Sequence, residues 1–139
     1  SLEASKKPHN KLSMSTLRLD QSQRVDIVCR RGDTFKMVLN VRNSSGAVVN
    51  VSGSAFTYKM EVRETDTATG TAVIPTNATG FVFAGNASGV LNVTVTSTTM
   101  AAVNSGLYVY DLQATRVSDS FVQTWLYGTF LVNEDVTVP

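Results

Sequence analysis

Phe56-Thr57-Tyr58-Lys59-Met60-Glu61-Val62-Arg63 decides the fold class. Phe56, Tyr58, Met60 and Val62 alternate with Thr57, Lys59, Glu61 and Arg63. A period of two places the two sets on opposite faces of a strand, whereas a helix would mix them on every side. Moving toward the N-terminus, Thr34 to Arg42 repeats the pattern, with Phe35, Met37, Leu39 and Val41 opposed to Lys36, Asn40 and Arg42. Arg24 to Cys29 adds a shorter strand in which Val25, Ile27 and Cys29 share a face. Arg30-Arg31-Gly32-Asp33 and Asn43-Ser44-Ser45-Gly46 carry turn chemistry between these runs.

Toward the C-terminus, Ala47 to Val51, Ala72 to Ile74 and Phe81 to Phe83 are brief extended stretches. Gly89 to Thr96 alternates again through Leu91, Val93 and Val95. Ser97 is the expected N-cap of a single short helix, Thr98 to Val103, stopped by Asn104-Ser105-Gly106. Leu107 to Thr115 and Phe121 to Val132 form a hairpin through Arg116-Val117-Ser118-Asp119-Ser120. Gly128 inside its second strand marks a bulge or a close backbone approach. About eight short strands with turns between them predict an all-β chain, a two-sheet antiparallel β-sandwich with one helical turn.

Composition agrees. Val, Thr, Ser and Asn make about two-fifths of the 139 residues, while charged residues are only 17%. β-branched residues favour strands, and Ser and Asn favour tight connections. The formal net charge is +1 but unevenly spread. Residues 1–31 hold seven basic and three acidic side chains, a net +4, leaving −3 on the rest. Residues 1–23 are weakly patterned, contain Pro8, and read as a basic arm outside a sandwich spanning 24–139. The segment reads either as a mobile terminal tail or as an arm that orders against a neighbouring subunit, its charge from Lys6, Lys7, Lys11 and Arg18 and its apolar foothold from Leu12, Met14 and Leu17.

Chemistry-bearing residues are few. The one histidine, His9, lies in the arm, where nothing orients an imidazole. There is no G-x-S-x-G elbow, P-loop or G-x-G-x-x-G motif. Cys29 falls on the apolar face of its strand and reads as a small buried hydrophobe; as the sole cysteine it forms no internal disulfide. One His and one Cys do not make a zinc site, and Asp33, Asp66, Asp111, Asp119 and Asp135 lack EF-hand spacing. The expectation is a protein that is not an enzyme, with no metal and no cofactor. No apolar run approaches the ~20 residues that span a bilayer. No basic groove interleaved with aromatics points to nucleic acid.

Three weaker signals remain. Arg31-Gly32-Asp33 spells an integrin-binding tripeptide, but its first reading is a tight turn with Gly32 at the special φ. Asn43, Asn50, Asn77, Asn86 and Asn92 head N-x-S/T sequons, which a secreted eukaryotic protein would glycosylate. Tyr108, Tyr110, Trp125 and Tyr127 offer an aromatic contact face if their strands pair. Such a face would stack on sugar rings of a host glycan, or else the rings pack in the core or a subunit interface.

Three stretches taken in order carry a resemblance. Asp26-Ile27-Val28-Cys29-Arg30-Arg31-Gly32-Asp33-Thr34-Phe35 enters an R-G-D-T-aromatic turn, and Phe56 to Arg63 follows. Ser105-Gly106-Leu107-Tyr108-Val109-Tyr110-Asp111-Leu112-Gln113 then leads to Gly128-Thr129-Phe130-Leu131-Val132 and Asp135-Val136-Thr137. Over residues 24–138 this resembles the immunoglobulin-like domain of tailed-phage virion proteins, best known at the N-terminus of upper baseplate proteins. The resemblance implies an immunoglobulin-like sandwich located in the virion. It implies a homo-oligomeric adaptor that holds other virion proteins of the tail, fibre or baseplate, without enzymatic activity or cofactor. A capsid decoration or head-fibre protein and a carbohydrate-binding module are the alternatives. Family members often continue into a stalk or receptor-binding region; with Pro139 as the last residue here, the expectation is either a free-standing small virion protein, which Ser1 after initiator-Met removal would suit, or a chain whose downstream part is absent.

Overall fold

A computed structural model describes residues 15–18, 22–64, 72–75 and 80–134. Among the described residues, nine strands and one short helix follow in order. The strands are β1 (Ser15–Arg18), β2 (Gln23–Arg24), β3 (Ile27–Arg30), β4 (Phe35–Arg42) and β5 (Phe56–Arg63). They continue with β6 (Val82–Gly85), β7 (Val90–Val95), α1 (Ser97–Ala101), β8 (Gly106–Arg116) and β9 (Val122–Asn133). One sheet has the order β1-β4-β7-β6; the other is β2-β9-β8-β5, with β3 also beside β9. The chain is therefore an all-β, two-sheet sandwich. Pairing is antiparallel among β4 to β9, and parallel where β1 joins β4 and where β2 and β3 join β9.

The order β1-β4-β7-β6 over β9-β8-β5 matches that of an immunoglobulin-type sandwich, in which strands A, B, E and D face C, F and G; the expected all-antiparallel pairing is not met, because β1 runs parallel to β4 and β2 and β3 run parallel to β9. A second hallmark sits at the start of β8. The Tyr108 hydroxyl donates to the Asn104 carbonyl, 2.7 Å away and four residues upstream, as in a tyrosine corner. The corner fixes α1 to the sheet. Thr96 rather than Ser97 caps α1, because Thr96 is the residue with extended backbone and its hydroxyl accepts from the Thr99 amide.

The core follows the alternation in the sequence. Phe35, Met37, Leu39 and Val41 of β4 are buried, as are Met60 and Val62 of β5 and Leu91, Val93 and Val95 of β7. Where the sandwich opens between β5 and β6, aromatic rings fill the gap. Tyr58 meets Phe83 at 5.6 Å and Trp125 at 5.6 Å, and Trp125 meets Phe56 at 5.1 Å. Phe81 extends the stack to Phe83 and Phe35, and Ile74 is fully buried in the same core cluster.

Gly128 has a definite reason. A Cβ there would lie 2.3 Å from the Val25 carbonyl oxygen, so only glycine lets β2 and β3 lie against β9. The same carbonyl accepts from the buried Tyr110 hydroxyl at 2.6 Å, and the Asp26 carboxylate accepts from the Thr129 amide at 3.0 Å. Close approach is thus the reading that holds at Gly128. The register irregularity lies elsewhere in the hairpin, between Leu112 and Gln113.

Candidate interaction surface on the β8–β9 hairpin

β8 and β9 are the longest strands, paired from Gly106–Val132 to Thr115–Val122. Leu112 pairs with Leu126 and Gln113 with Thr124, which leaves Trp125 as an extra residue. The bulge turns Trp125 inward, so that Trp125 and Leu126 are both buried although adjacent. Trp125 Nε1 has no hydrogen-bond partner among the described residues, the one polar shortfall of that ring's fit.

The hairpin tip is built rather than loose. Arg116 donates through Nε and Nη2 to both Asp119 carboxylate oxygens at 2.9 and 2.7 Å. Asp119 also accepts from the Phe121 amide, and the Ser120 amide donates to the Arg116 carbonyl at 2.8 Å. Ser120 takes φ 59°, the left-handed conformation that closes the turn. The Arg116 guanidinium lies 5.1 Å from the centre of the Phe121 ring. Its hydrogen bond and charge hold the Asp119 carboxyl below the ordinary aspartate range.

Five of the seven large hydrophobic side chains exposed among the described residues belong to this hairpin. They are Leu107 (63% exposed), Val117, Phe121, Val122 and Tyr127 (43%). Pairing places Leu107, Val109, Asp111, Gln113 and Thr115 of β8 on the sheet's outer face, beside Val122, Thr124, Tyr127, Thr129 and Leu131 of β9. Thr57, Lys59, Glu61 and Arg63 of β5 continue it. Glu61 is bracketed by Lys59 at 3.1 Å and Arg63 at 2.9 Å. Burial works against its charge, but these two hydrogen-bonded cations hold its carboxyl below the ordinary range. Asp111, directly opposite Glu61, is shifted upward, by burial first and by the Glu61 charge second.

The expected aromatic contact face does not assemble. Tyr108, Tyr110 and Trp125 are buried in the core, and only Tyr127 is exposed. Tyr108 and Tyr110 lie on the inner face of β8 with their hydroxyls bonded to backbone carbonyls, and the bulge carries Trp125 in after them. Of the expected arm, Lys6, Lys7, Lys11, Leu12 and Met14 lie outside the described residues. Leu17 and Arg18 fall in β1, whose backbone pairs with β4 of the same chain, so this part of 1–23 belongs to a sheet. His9, Asp66, Asn77 and Asp135 also lie outside the described residues.

The remaining sequence signals resolve into structural duties. Burial, with Asp33 second, pushes the Cys29 thiol up to about 12, which disfavours the thiolate. Gly32 takes φ 86° in the turn between β3 and β4. Arg31 is engaged by the Ala101 carbonyl at 3.0 Å and by Glu134 at 3.4 Å. Asn43, Asn50 and Asn86 each accept through Oδ1 from the amide two residues on, at Ser45, Ser52 and Ser88, and so shape their turns. No group of three His, Cys, Asp or Glu among the described residues is arranged to hold a metal ion. Sequence reasoning missed the apolar tip and Leu107. The available signal was apolar side chains of β8 on both faces, Leu107 and Val109 as well as Tyr108 and Tyr110.

No protein-family model matches this sequence, and no curated protein does. Among solved structures, the chain is similar to a cysteine protease inhibitor from Entamoeba histolytica. The identity is 10% over 86% of this chain and 97% of that one, with a TM-score of 0.40. A likeness that slight carries no argument about this chain.

Proposed function

We propose that this chain is a non-enzymatic assembly protein of a tailed-phage virion: an immunoglobulin-like adaptor of the tail, baseplate or fibre attachment that binds its neighbours through the β8–β9 hairpin. The concentration of exposed hydrophobic side chains on that hairpin is the observation that carries the reading. Val117, Phe121 and Val122 bring that exposure together at the tip, and apolar side chains grouped on a surface mark a place that another protein covers. The preformed tip suits such a role, since ordering it before contact lowers the entropic cost of docking. The order of motifs across residues 24–138 supplies the virion context, and the low charge content suits surfaces buried between subunits.

The test is mass spectrometry and electron microscopy of purified particles. The expected result is the chain at a fixed copy number, with the 116–122 tip against a neighbouring protein. Phe121→Asp is expected to reduce incorporation at least tenfold, the effect of about 1.4 kcal/mol at a docking site. Particles that lack the chain would overturn the proposal.

A further inference from the structure

The outer face of the β5-β8-β9 sheet has a pattern that becomes evident when its rows are read across the strands. The central row runs Glu61, Asp111, Tyr127, Arg24 over β5, β8, β9 and β2. The next row runs Arg63, Val109, Thr129, and its far end is Asp26, whose carboxylate bonds the Thr129 amide. The one beyond it is Leu107, Leu131, Val28. On the other side of the centre lie Lys59, Gln113, Thr124, then Thr57, Thr115, Val122.

Consider a two-fold axis parallel to the strands, midway between β8 and β9. Rotation about it brings the same face of a second copy onto the first, keeps each row at its own level, and exchanges left with right. Asp111 then faces Tyr127 of the second copy, and Glu61 faces Arg24. Arg63 faces Asp26, Leu107 faces Leu131, and Gln113 faces Thr124. Every charged side chain in the central row and the one beside it meets the opposite charge or a hydroxyl donor, and the apolar row meets itself. No like charges are placed opposite each other in these rows.

We infer that this face is a self-complementary docking surface for a second copy of the chain, with Asp111 and Tyr127 as its reciprocal central contact. Two further observations support the choice of occupant. Asp111 is half-buried yet makes no hydrogen bond or ion pair among the described residues, so a phenol from across the interface supplies what its own chain does not. The Tyr127 side chain stands 43% exposed, likewise with no hydrogen bond from its hydroxyl among those residues. Four strands about 4.8 Å apart and about 27 Å of β8 give roughly 500 Å² per copy. The total of about 1,000 Å² is at the lower bound of a specific interface, so the dimer is weak and concentration-dependent. Sheets stacked in this way keep their strand directions within about 30°, as the axis requires.

The inference rests on the reading of the hairpin as an assembly surface, but it needs no virion partner and fails separately. The experiment is sedimentation of the purified full chain over a concentration series. A monomer–dimer equilibrium is expected. Tyr127→Asp, which sets two carboxylates against each other, weakens it at least about tenfold. The exchange Tyr127→Asp with Asp111→Tyr restores it, because the contact is reciprocal. Leu107→Asp is the second disrupting variant, and thermal unfolding confirms that each variant is folded. A monomer at all concentrations overturns the inference. So does a dimer that ignores both Tyr127→Asp and Leu107→Asp, or one weakened by Tyr127→Asp that the added Asp111→Tyr does not restore.

Discussion

The two lateral openings of the sandwich are closed by different means. On the side where β4 and β9 lie, backbone closes the gap: β1 extends one sheet, while β2 and β3 extend the other. Only a few side chains pin that arrangement, chiefly Tyr110 on the Val25 carbonyl, Asp26 on the Thr129 amide, and the bare Gly128 beneath them. On the side of β5 and β6, rings close the gap: Phe56, Tyr58, Phe81, Phe83 and Trp125 interlock, and the Tyr58 hydroxyl reaches the Val51 carbonyl at 2.7 Å. A ladder is sensitive to loss of a hydrogen bond or intrusion of an atom. A ring stack is sensitive to loss of volume. With one cysteine, and that one buried and free, the chain has no disulfide across its sheets, and both closures rest on packing and hydrogen bonds.

The largest effect should come from the ring side. Trp125→Ala removes a side chain that is 1% exposed and touches two other rings, and is expected to cost about 3–5 kcal/mol in denaturant unfolding. Trp125→Phe should cost clearly less, since it also removes the unpartnered Nε1 donor. Equal losses for the two would show that the closure does not depend on volume.

On the ladder side, Gly128→Ala forces a Cβ against the Val25 carbonyl and should cost about 2–3 kcal/mol. Amide exchange should accelerate first at Val25 and Arg31, whose amides donate to the Tyr127 and Asn133 carbonyls of β9. Unchanged exchange there would mean that β2 and β3 are held by something other than their fit to β9. The two tyrosines sharpen the contrast. Tyr110→Phe leaves the Val25 carbonyl without its buried donor and should cost about 1–2 kcal/mol. Tyr58→Phe, on a half-buried ring, should cost less, about 0.5–1 kcal/mol. The reverse order would break the comparison.

The smallest effect is a dependence on pH. The Thr129 amide, ahead of Arg24, holds the Asp26 carboxyl below its ordinary value against a modest opposing effect of burial. A depressed carboxyl contributes stability above the unfolded pKa of about 3.9 and loses it as pH falls through the lower folded value. The wild type should therefore lose stability faster than Asp26→Asn below about pH 4, and the two should run parallel above about pH 5. The Asp26 side chain is 41% exposed, so solvent screening keeps the difference small. Parallel curves throughout would remove Asp26 from the ladder's pins.

Much of the fold was legible because strand alternation is a local property. Lys36 and Glu61 point away from Met37 and Met60 whatever the rest of the chain does. Gly128 was legible as a special position for a related reason, since an unexplained glycine in a strand announces something close to it. The candidate surface was not legible in the same way. Tyr127 and Trp125 alternate with Leu126 in sequence and so share a face on paper, yet one extra residue opposite Gln113 puts them on different sides. Nor does any local pattern reveal that Ser15–Arg18 runs beside β4, because a pairing is a property of two segments.

By itself, the sequence determined that this chain is all-β, which residues of β4, β5 and β7 face inward, and that its one cysteine sits in the core. Side-chain direction alternates within a strand, and a strand needs no knowledge of its neighbours to have two faces. Only the tertiary structure decided which strand lies beside which, which opening is closed by rings, and which aromatic side chain is left in water. Those outcomes depend on contacts between residues as far apart as Val25 and Tyr110, and on a bulge that brings Trp125 against Phe56 and Tyr58.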